Sequence, residues 1–584
     1  MKIEFIRTEQ PGITFFFHLF AIILFASMLF SCQKEENPKL MRIGLPEEPK
    51  SLNLWLGTDA NSRKILSLIY QPLFTRDPET LEIIPWLARG NPLFDKKKVT
   101  CTVKLRSAKW SDGSEFTSND VLFTRKLFFD FKIPKYYGKW KSVIQLEAVD
   151  KHTLIFHLDK PSAIFMSRVL TSPVVSEKQW KTIAENALKA AKPLRYLQNH
   201  TPADLLGTGP FVLSRYKKGA YIHMKKNPHF FAAGKTIANH CLGPHVDSLL
   251  FKIYNTSDIA ILALEKGAID MYWWDIQPGY IKNLKKNASI KLFYNKKSAL
   301  YYMGFNLRRP PFNDKDLRKA VATAIDKKFI LTRILQNYGT PIDSIVPSGN
   351  LFWSNPNVKR YGEGLTQKEH ITKAFKILKS AGYTWDIEPV DAKGNIVTAR
   401  GLKLPSGKPM GSFIILTPPA DYDPRRAFAG IMIQEWLKKL GMQVSARPMA
   451  FNSLLETVKS RHDFDAFILG YGRLSLDPDY LRTFFHSNND KPNGWNMTGY
   501  NNPLFDRLAS LQKSIVDIDQ RKKIIWKMQE MLMEDLPFIP LYNPSIIEAV
   551  RCKNFSGWIE KVDGIGNIWS FCMVKPNRKK YQNL

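Results

Sequence analysis

Short alternations of apolar and polar residues, punctuated by Gly, Pro and Asp turns, run along most of this chain, with helically spaced stretches between them. Residues 41–45 begin a strand, residues 46–54 form a turn-rich loop, and residues 61–70 predict a helix. TCTVKL alternates strictly and predicts a strand that buries the small Cys101 side chain. Ser111-Asp112-Gly113 is then a turn. Thr117 or Ser118 caps a helix whose first turn holds Asp120, where a carboxylate suits the dipole, and Val121, Phe123 and Leu127 face inward. Residues 146–158 and 163–169 continue the strand-and-helix alternation, and residues 181–200 form a polar helix and loop.

Residues 207–231, GTGPFVLSRYKKGAYIHMKKNPHFF, predict a β-hairpin. Gly207, Gly209 and Pro210 make a tight turn, FVLSRY rises, Lys217-Lys218-Gly219 turns, and YIHMKKN returns. Pro228 ends the pairing because it has no N–H to donate. Residues 246–254 predict a strand and residues 258–267 a helix. From residue 300 a strand leads through a Pro-Pro turn into a helix capped by Asp314, with Leu317, Val321 and Ile325 inward. Residues 371–383 are an amphipathic helix ended by Gly382. The polar stretch 386–412 reads as an inserted hairpin or loop. Strand 413–416, helix 425–440, strand MQVSARPM, helix 452–461, the buried run FDAFILGY and helix 524–535 follow. That order fits an α/β lobe.

The amino terminus differs from everything after it. Lys2 and Arg7 precede an almost wholly apolar run over residues 13–30, which ends at Leu29-Phe30-Ser31-Cys32 and gives way to polar KEENPK. This layout predicts an export signal with a lipidated cysteine at Cys32. An uncleaved anchor is the alternative, since the run is close to the ~18 residues that begin to span a bilayer.

At 584 residues the chain is too long for one core and predicts two or three domains. Its net charge of +32 is spread along the whole length, so it reads as solvated surface, and no nucleic-acid-binding pattern is present. Of the five cysteines, Cys101, Cys241, Cys552 and Cys572 lack metal-ligand spacing, and Cys552 and Cys572 could pair in an exported protein. Gly-x-Ser-x-Gly, His-Glu-x-x-His and the phosphate-cradling Gly-Lys loop do not occur. Asp112 and Asp120 invite a paired-carboxylate reading, but turn and cap roles explain both.

Six motifs in order resemble those of the extracellular solute-binding proteins of family 5, the oligopeptide-, dipeptide- and nickel-binding receptors of ABC importers. Gly207, Thr208, Gly209, Pro210, Phe211, Gly219, Asn227, Pro228 and Phe230 match the family's structural hairpin. Pro85, Leu87 and Ala88 match its opening segment. Trp110, Asp112, Gly113, Phe116, Thr117, Asp120 and Val121 match its Trp-x-Asp-Gly…Phe-Thr-x-x-Asp-Val pattern. Gly267, Ile269 and Asp270 match a helix-ending turn. Phe305, Asn306, Pro311, Phe312, Asp314, Arg318, Ala320 and Asp326 match the start of the second lobe. Gly470, Tyr471, Asp477, Pro478 and, further on, Trp495, Asn496 and Tyr500 match the segment that reads the ligand.

The resemblance implies an α/β, periplasmic-binding-protein-like (type II) fold with two lobes, a hinge and an extra domain on the first lobe. Residues 1–32 would be the signal and 33–40 a tether. Lobe 1 would comprise 41–75, 205–298 and 537–584, the extra domain 76–204, and lobe 2 residues 299–536. It implies a substrate-binding lipoprotein that captures a peptide or peptide-like ligand by hinge closure and delivers it to permease and ATPase subunits. No cofactor, metal or nucleic acid is expected, and a monomer lipid-anchored in the cell envelope is. An exported hydrolase, or a peptide-binding chaperone or adhesion lipoprotein, is the alternative. Tyr471, Arg473, Trp495, Asn496, Asn306, Tyr301 and Trp273 are the candidate ligand-binding residues. At least one of Trp273 and Trp274 would be core, Arg473 would otherwise be surface charge, and Arg318 would be a structural ion-pair partner. Peptide-binding relatives often place an aspartate for the α-ammonium where this chain has Leu474, so an anionic or N-blocked ligand is implied.

Overall fold

A computed structural model of the chain describes residues 39–577, so the signal and Cys32 lie outside the described residues. Twelve strands share one sheet. In chain order they are β1 (Leu40–Leu45), β2 (Phe211–Lys217), β3 (Tyr221–Lys226), β4 (Ser248–Ile253), β5 (Met271–Tyr272), β6 (Ile290–Lys296), β7 (Leu300–Phe305), β8 (Gly339–Pro341), β9 (Phe413–Thr417), β10 (Val444–Pro448), β11 (Ala466–Tyr471) and β12 (Phe538–Arg551). The spatial order is β2-β3-β4-β1-β5-β12-β7-β11-β9-β10, and β6 and β8 also pair with β12.

The long strand β12 belongs to both halves. Its first residues pair with β7, through Tyr301 with Tyr542 and Met303 with Ile539, and with β8, through Thr340 with Asn543. Its last residues pair with β6, through Leu292 with Ala549, and with β5. Residues 538–544 of β12 thus pair with β7 and β8, and residues 545–551 with β6 and β5. Proline has no ladder donor, and Pro540 sits at the register shift between Tyr301 and Tyr302 while Pro544 sits where pairing passes from β8 to β6. A second crossing, at Lys296–Ser298, runs beside it, and Asn543 Nδ2 donates to the Lys297 carbonyl at 2.6 Å. At these two crossings the chain passes between the two halves of the sheet, the place where a two-lobed fold hinges.

Alternation decides which core each side chain joins. On β7, Tyr302 enters one apolar cluster with Phe467 and Phe538, whereas Met303 and Phe305 enter another with Phe312 and Ile415 on the opposite face. Lobe 2 is thus a sheet covered on both sides. On the Met303 and Phe305 face lies the helix Lys315–Ala324, capped by Asp314 as its sequence predicts, with Leu317 and Val321 buried. Arg318 is buried there too, but it donates to the carbonyls of Asp535 and Phe312 rather than pairing with a carboxylate. Lobe 1 and the small domain share one continuous core that runs from Met41 and Ile43 through Trp86 and Phe128 to Trp569.

The small domain carries a four-stranded antiparallel sheet ordered Leu93–Phe94, Thr100–Lys104, Thr153–Leu158, Val143–Asp150. Asp120 accepts from Thr117 N, Glu177 N and Trp110 Nε1, and Asp112 accepts from Ser114 N and Lys178 Nζ. Both carboxylates are spent on local structure. Cys101 is fully buried, and Cys552 and Cys572 are free thiols, the second packed in the lobe 1 core, so the possible disulfide does not form. The helix expected over 61–70 ends at Leu66, the one over 452–461 passes into a wider π turn at Glu456, and the one expected from 524 starts at Ile518 behind an Asp517 cap. Among the described residues no helix is long and apolar enough to cross a membrane.

Candidate functional site

A cavity of about 630 Å³ opens beside the hinge, between lobe 1 and the loop that follows β11. Its lobe 1 wall starts with helix α1 (Ala60–Leu66), which Asp59 caps by accepting from Ser62 N at 2.9 Å. Ser62, Ile65 and Leu66 turn into the core, which leaves Arg63 and Lys64 on the cavity side. Lys64 Nζ donates to the Trp273 carbonyl at 2.5 Å and lies 4.8 and 4.7 Å from the ring centres of Trp273 and Trp274. An ammonium held against two indoles is a cation–π arrangement.

Trp273 itself is nearly buried, against Phe571 and Phe251. Gly566 packs so closely on its indole that an added Cβ would fall 1.6 Å from Nε1. Any side chain at 566 would therefore displace the indole. Trp569 completes the aromatic wall and donates its Nε1 to the Arg76 carbonyl.

Six cations line the cavity, Arg63, Lys64, Arg76, Lys297, Arg473 and Lys561, against the four carboxylates Asp77, Asp275, Glu548 and Asp563. Lys297 pairs with Asp275 at 2.6 Å, and Arg473 Nε approaches Asp563 at 3.3 Å. Glu548, on β12, is almost wholly buried and accepts from Ile565 N. Burial pushes its pKa up, against the pull of Lys64, and burial brings the Lys64 pKa down, against the pull of Glu548. Burial also lowers Lys561. The site thus offers indole faces and charges of both signs, the furniture for a polar organic ligand with its own charges. Among the described residues no cluster of His, Cys, Asp and Glu is arranged to hold a metal.

Of the seven residues expected at the site, Trp273 and Arg473 line this cavity and the other five do not. Asn306 is buried away from the cavity, where its amide donates to the carbonyls of His462 and Phe464 and its oxygen accepts from Arg308. Asn496 is likewise fully buried, exchanging hydrogen bonds with Tyr500 N and O. Tyr301 stacks on Tyr542 at 4.9 Å, and Tyr471 stacks on Phe484 at 4.6 Å. Trp495 is half-exposed under the Lys459 ammonium. The Leu474 side chain is buried in the lobe 2 core, and its N–H binds the Ser298 carbonyl. Trp274, read beside Trp273 as near the cleft, also lines the cavity, whereas Lys64, Glu548 and Trp569 were not expected. Glu548 carried a readable signal, an ionisable residue within the apolar run IIEAV.

Comparison with known proteins agrees with this architecture. The profile described as bacterial extracellular solute-binding proteins, family 5 middle, matches residues 82–493. The oligopeptide-binding protein AppA of Bacillus subtilis (strain 168) is 26% identical over 533 residues, covering 88% of this chain and 88% of its own. The solved structure of AppA from Bacillus subtilis with a nonapeptide aligns with a TM-score of 0.61 at 24% identity, over 92% of this chain and 99% of that one. HbpA2 from Haemophilus parasuis aligns with a TM-score of 0.73 at 20% identity, over 92% of this chain and 100% of that one. The fold is that of type II periplasmic binding proteins. With its lobes joined at two crossings and the family profile matching through the small domain and most of lobe 2, this chain belongs to the bacterial extracellular solute-binding proteins of family 5.

Proposed function

We propose that this chain is the substrate-binding lipoprotein of an ABC importer, which holds a peptide or peptide-like ligand between its lobes and delivers it to a permease. The observation that carries this reading is the hinge-side cavity, walled by both lobes and furnished with indoles and charges of both signs. A ligand that touches both walls stabilises the arrangement in which they approach, by its differential affinity for that state. A peptide suits such a site because its two termini carry opposite charges. Relatives named as oligopeptide- and dipeptide-binding proteins support the ligand class. The domain division is proposed with one change, that β12 is shared by both lobes.

Mass analysis of the small molecules released when purified protein is denatured, with a broad hydrolase screen of the same material, tests the ligand. Release of a peptide-like compound and no turnover is expected. Hydrolysis that survives repurification would sink the reading in favour of an exported enzyme. For the anchor, Cys32→Ala should leave an unprocessed precursor or a soluble protein. Unchanged mass and unchanged membrane extraction would favour an uncleaved apolar segment instead.

A further inference from the structure

A second cavity, of about 460 Å³, lies away from the hinge where the small domain meets lobe 2. Lys139, Lys141, Lys160 and Arg168 approach it from the small domain, and Arg482 and Lys513 from lobe 2. The backbones touch here, because Ala163 N donates to the Lys513 carbonyl at 2.8 Å. Cations of both bodies therefore face one another across this cavity.

The protein supplies only part of their counter-charge. Asp479, fully buried behind the cavity, accepts from Arg168 Nη2 at 2.8 Å, from Arg482 Nε and Nη2 at 2.9 Å each, and from Gln512 Nε2 at 2.8 Å. Its four acceptor positions are used up by the two arginines and the amide. Asp159 is the one carboxylate in the wall, and it reaches only Lys160, at 4.0 Å. Among the described residues no carboxylate lies within ion-pair distance of Lys139, Lys141 or Lys513; the first two rest on the Tyr136 and Tyr137 rings. The crowding is felt by the ammonium groups. Burial and then Arg168 lower the pKa of Lys139, and burial and then Arg482 lower that of Lys513, with Lys160 and Arg168 adding to it and Asp479 opposing.

We propose that this junction is an anion-binding site for a small polyvalent oxyanion of the phosphate type, separate from the hinge-side cavity. An anion there bridges cations of the small domain to Lys513 of lobe 2 and so holds the two bodies together. The cavity is within the size range of small-molecule sites. Lysine ammonium groups serve phosphate as point charges and do not need a planar fork. Because the bound anion favours one arrangement of the lobes, its binding and that at the hinge-side cavity are reciprocally linked.

Calorimetric titration of the full-length protein with inorganic pyrophosphate, at low salt and at about 0.15 M, tests this. One saturable site per chain is expected. Lys139→Gln with Lys513→Gln should weaken it at least tenfold. Lys393→Gln with Lys408→Gln, which removes the same charge at two exposed positions of the 386–412 stretch, should change it less than twofold. All these lysines are at least partly exposed, and thermal melting verifies that each variant is folded. If Lys139→Gln with Lys513→Gln fails that check, Lys513→Gln alone is titrated, and a loss of threefold or more supports the site. Absence of saturable heat in the wild type, or equal weakening by the control pair, would overturn the proposal and reduce the cavity to diffuse attraction by a basic protein.

Discussion

Arg521 and Asp477 form the most completely buried ion pair of lobe 2, bidentate at 2.8 Å on both arms, with the guanidinium over the Trp353 ring. Asp477→Asn would leave a buried guanidinium without its counter-charge, and should cost about 3–5 kcal/mol of lobe 2 stability in urea unfolding. Burial alone would raise the Asp477 pKa, but Arg521 and Ser167 outweigh it and hold it below the usual value. A depressed folded-state pKa stabilises above the unfolded value, about 3.9, and that contribution is lost as pH falls through the folded one. The difference between wild type and variant should thus be full at pH 5–7 and shrink below about pH 4. A difference independent of pH would show that packing, not charge, is responsible. Arg473 is the opposite case. Its side chain is 67% exposed and its partner Asp563 is already held by Ser298. Arg473→Ala should therefore change ligand affinity by less than about 1 kcal/mol, and a loss of 2 kcal/mol or more in calorimetry would place the guanidinium on the ligand. Roles set by near neighbours were legible in the residues themselves: Asp112 and Asp120 take donors two or three positions away. Asn306 was not, because the carbonyls that occupy it lie more than 150 residues on.

The hairpin of β2 and β3 shows the same division at the level of an element. Its alternation and its Gly219 turn, at φ +69°, follow from the local sequence. The reason for Gly207 and Gly209 does not. Neither lies in the left-handed region; each is glycine because the loop presses against the end of α1, where an added Cβ would fall 2.2 Å from the carbonyl oxygens of Ile69 and Leu68. Asn227 closes that loop by donating to the Gly209 carbonyl at 2.7 Å. Two substitutions separate these causes. Gly219→Ala meets open space and pays only the left-handed backbone cost, about 1–2 kcal/mol. Gly207→Ala collides with main chain that cannot rotate away, so it should destabilise at the upper end of the overpacking range, about 3 kcal/mol or beyond. Equal melting temperatures for the two would mean that the loop has slack.

At the scale of the whole molecule, what the motifs conveyed was order along the chain: a first lobe interrupted by a small domain, a second lobe, and a return. They did not convey that the return strand would be common property, because a strand of apolar residues and prolines names no partner. Nor did they locate the cavity, whose walls come from four separated stretches of sequence. The two crossings are tied to each other through Asn543, which is nearly inaccessible to solvent. Asn543→Ala should cost about 1 kcal/mol and, more tellingly, raise the radius of gyration of the ligand-free protein in solution scattering. An unchanged scattering profile would show that lobe separation is controlled elsewhere.

Sharing β12 also sets when the molecule can be finished. Among the described residues, β6 and β8 pair with no strand other than β12, and β5 and β7 each keep one open edge without it. In chain order β12 comes after the other eleven strands of its sheet, so it is made last among them. Until then neither lobe can seal its sheet, and the nascent chain carries unsatisfied strand edges in both, a state that invites wrong pairing and needs escort. A ribosome-arrested chain ending before β12 should be cut by protease throughout, in residues 41–298 as well as in residues 299–536. One strand, placed after all the others of its sheet, thus closes both halves at once.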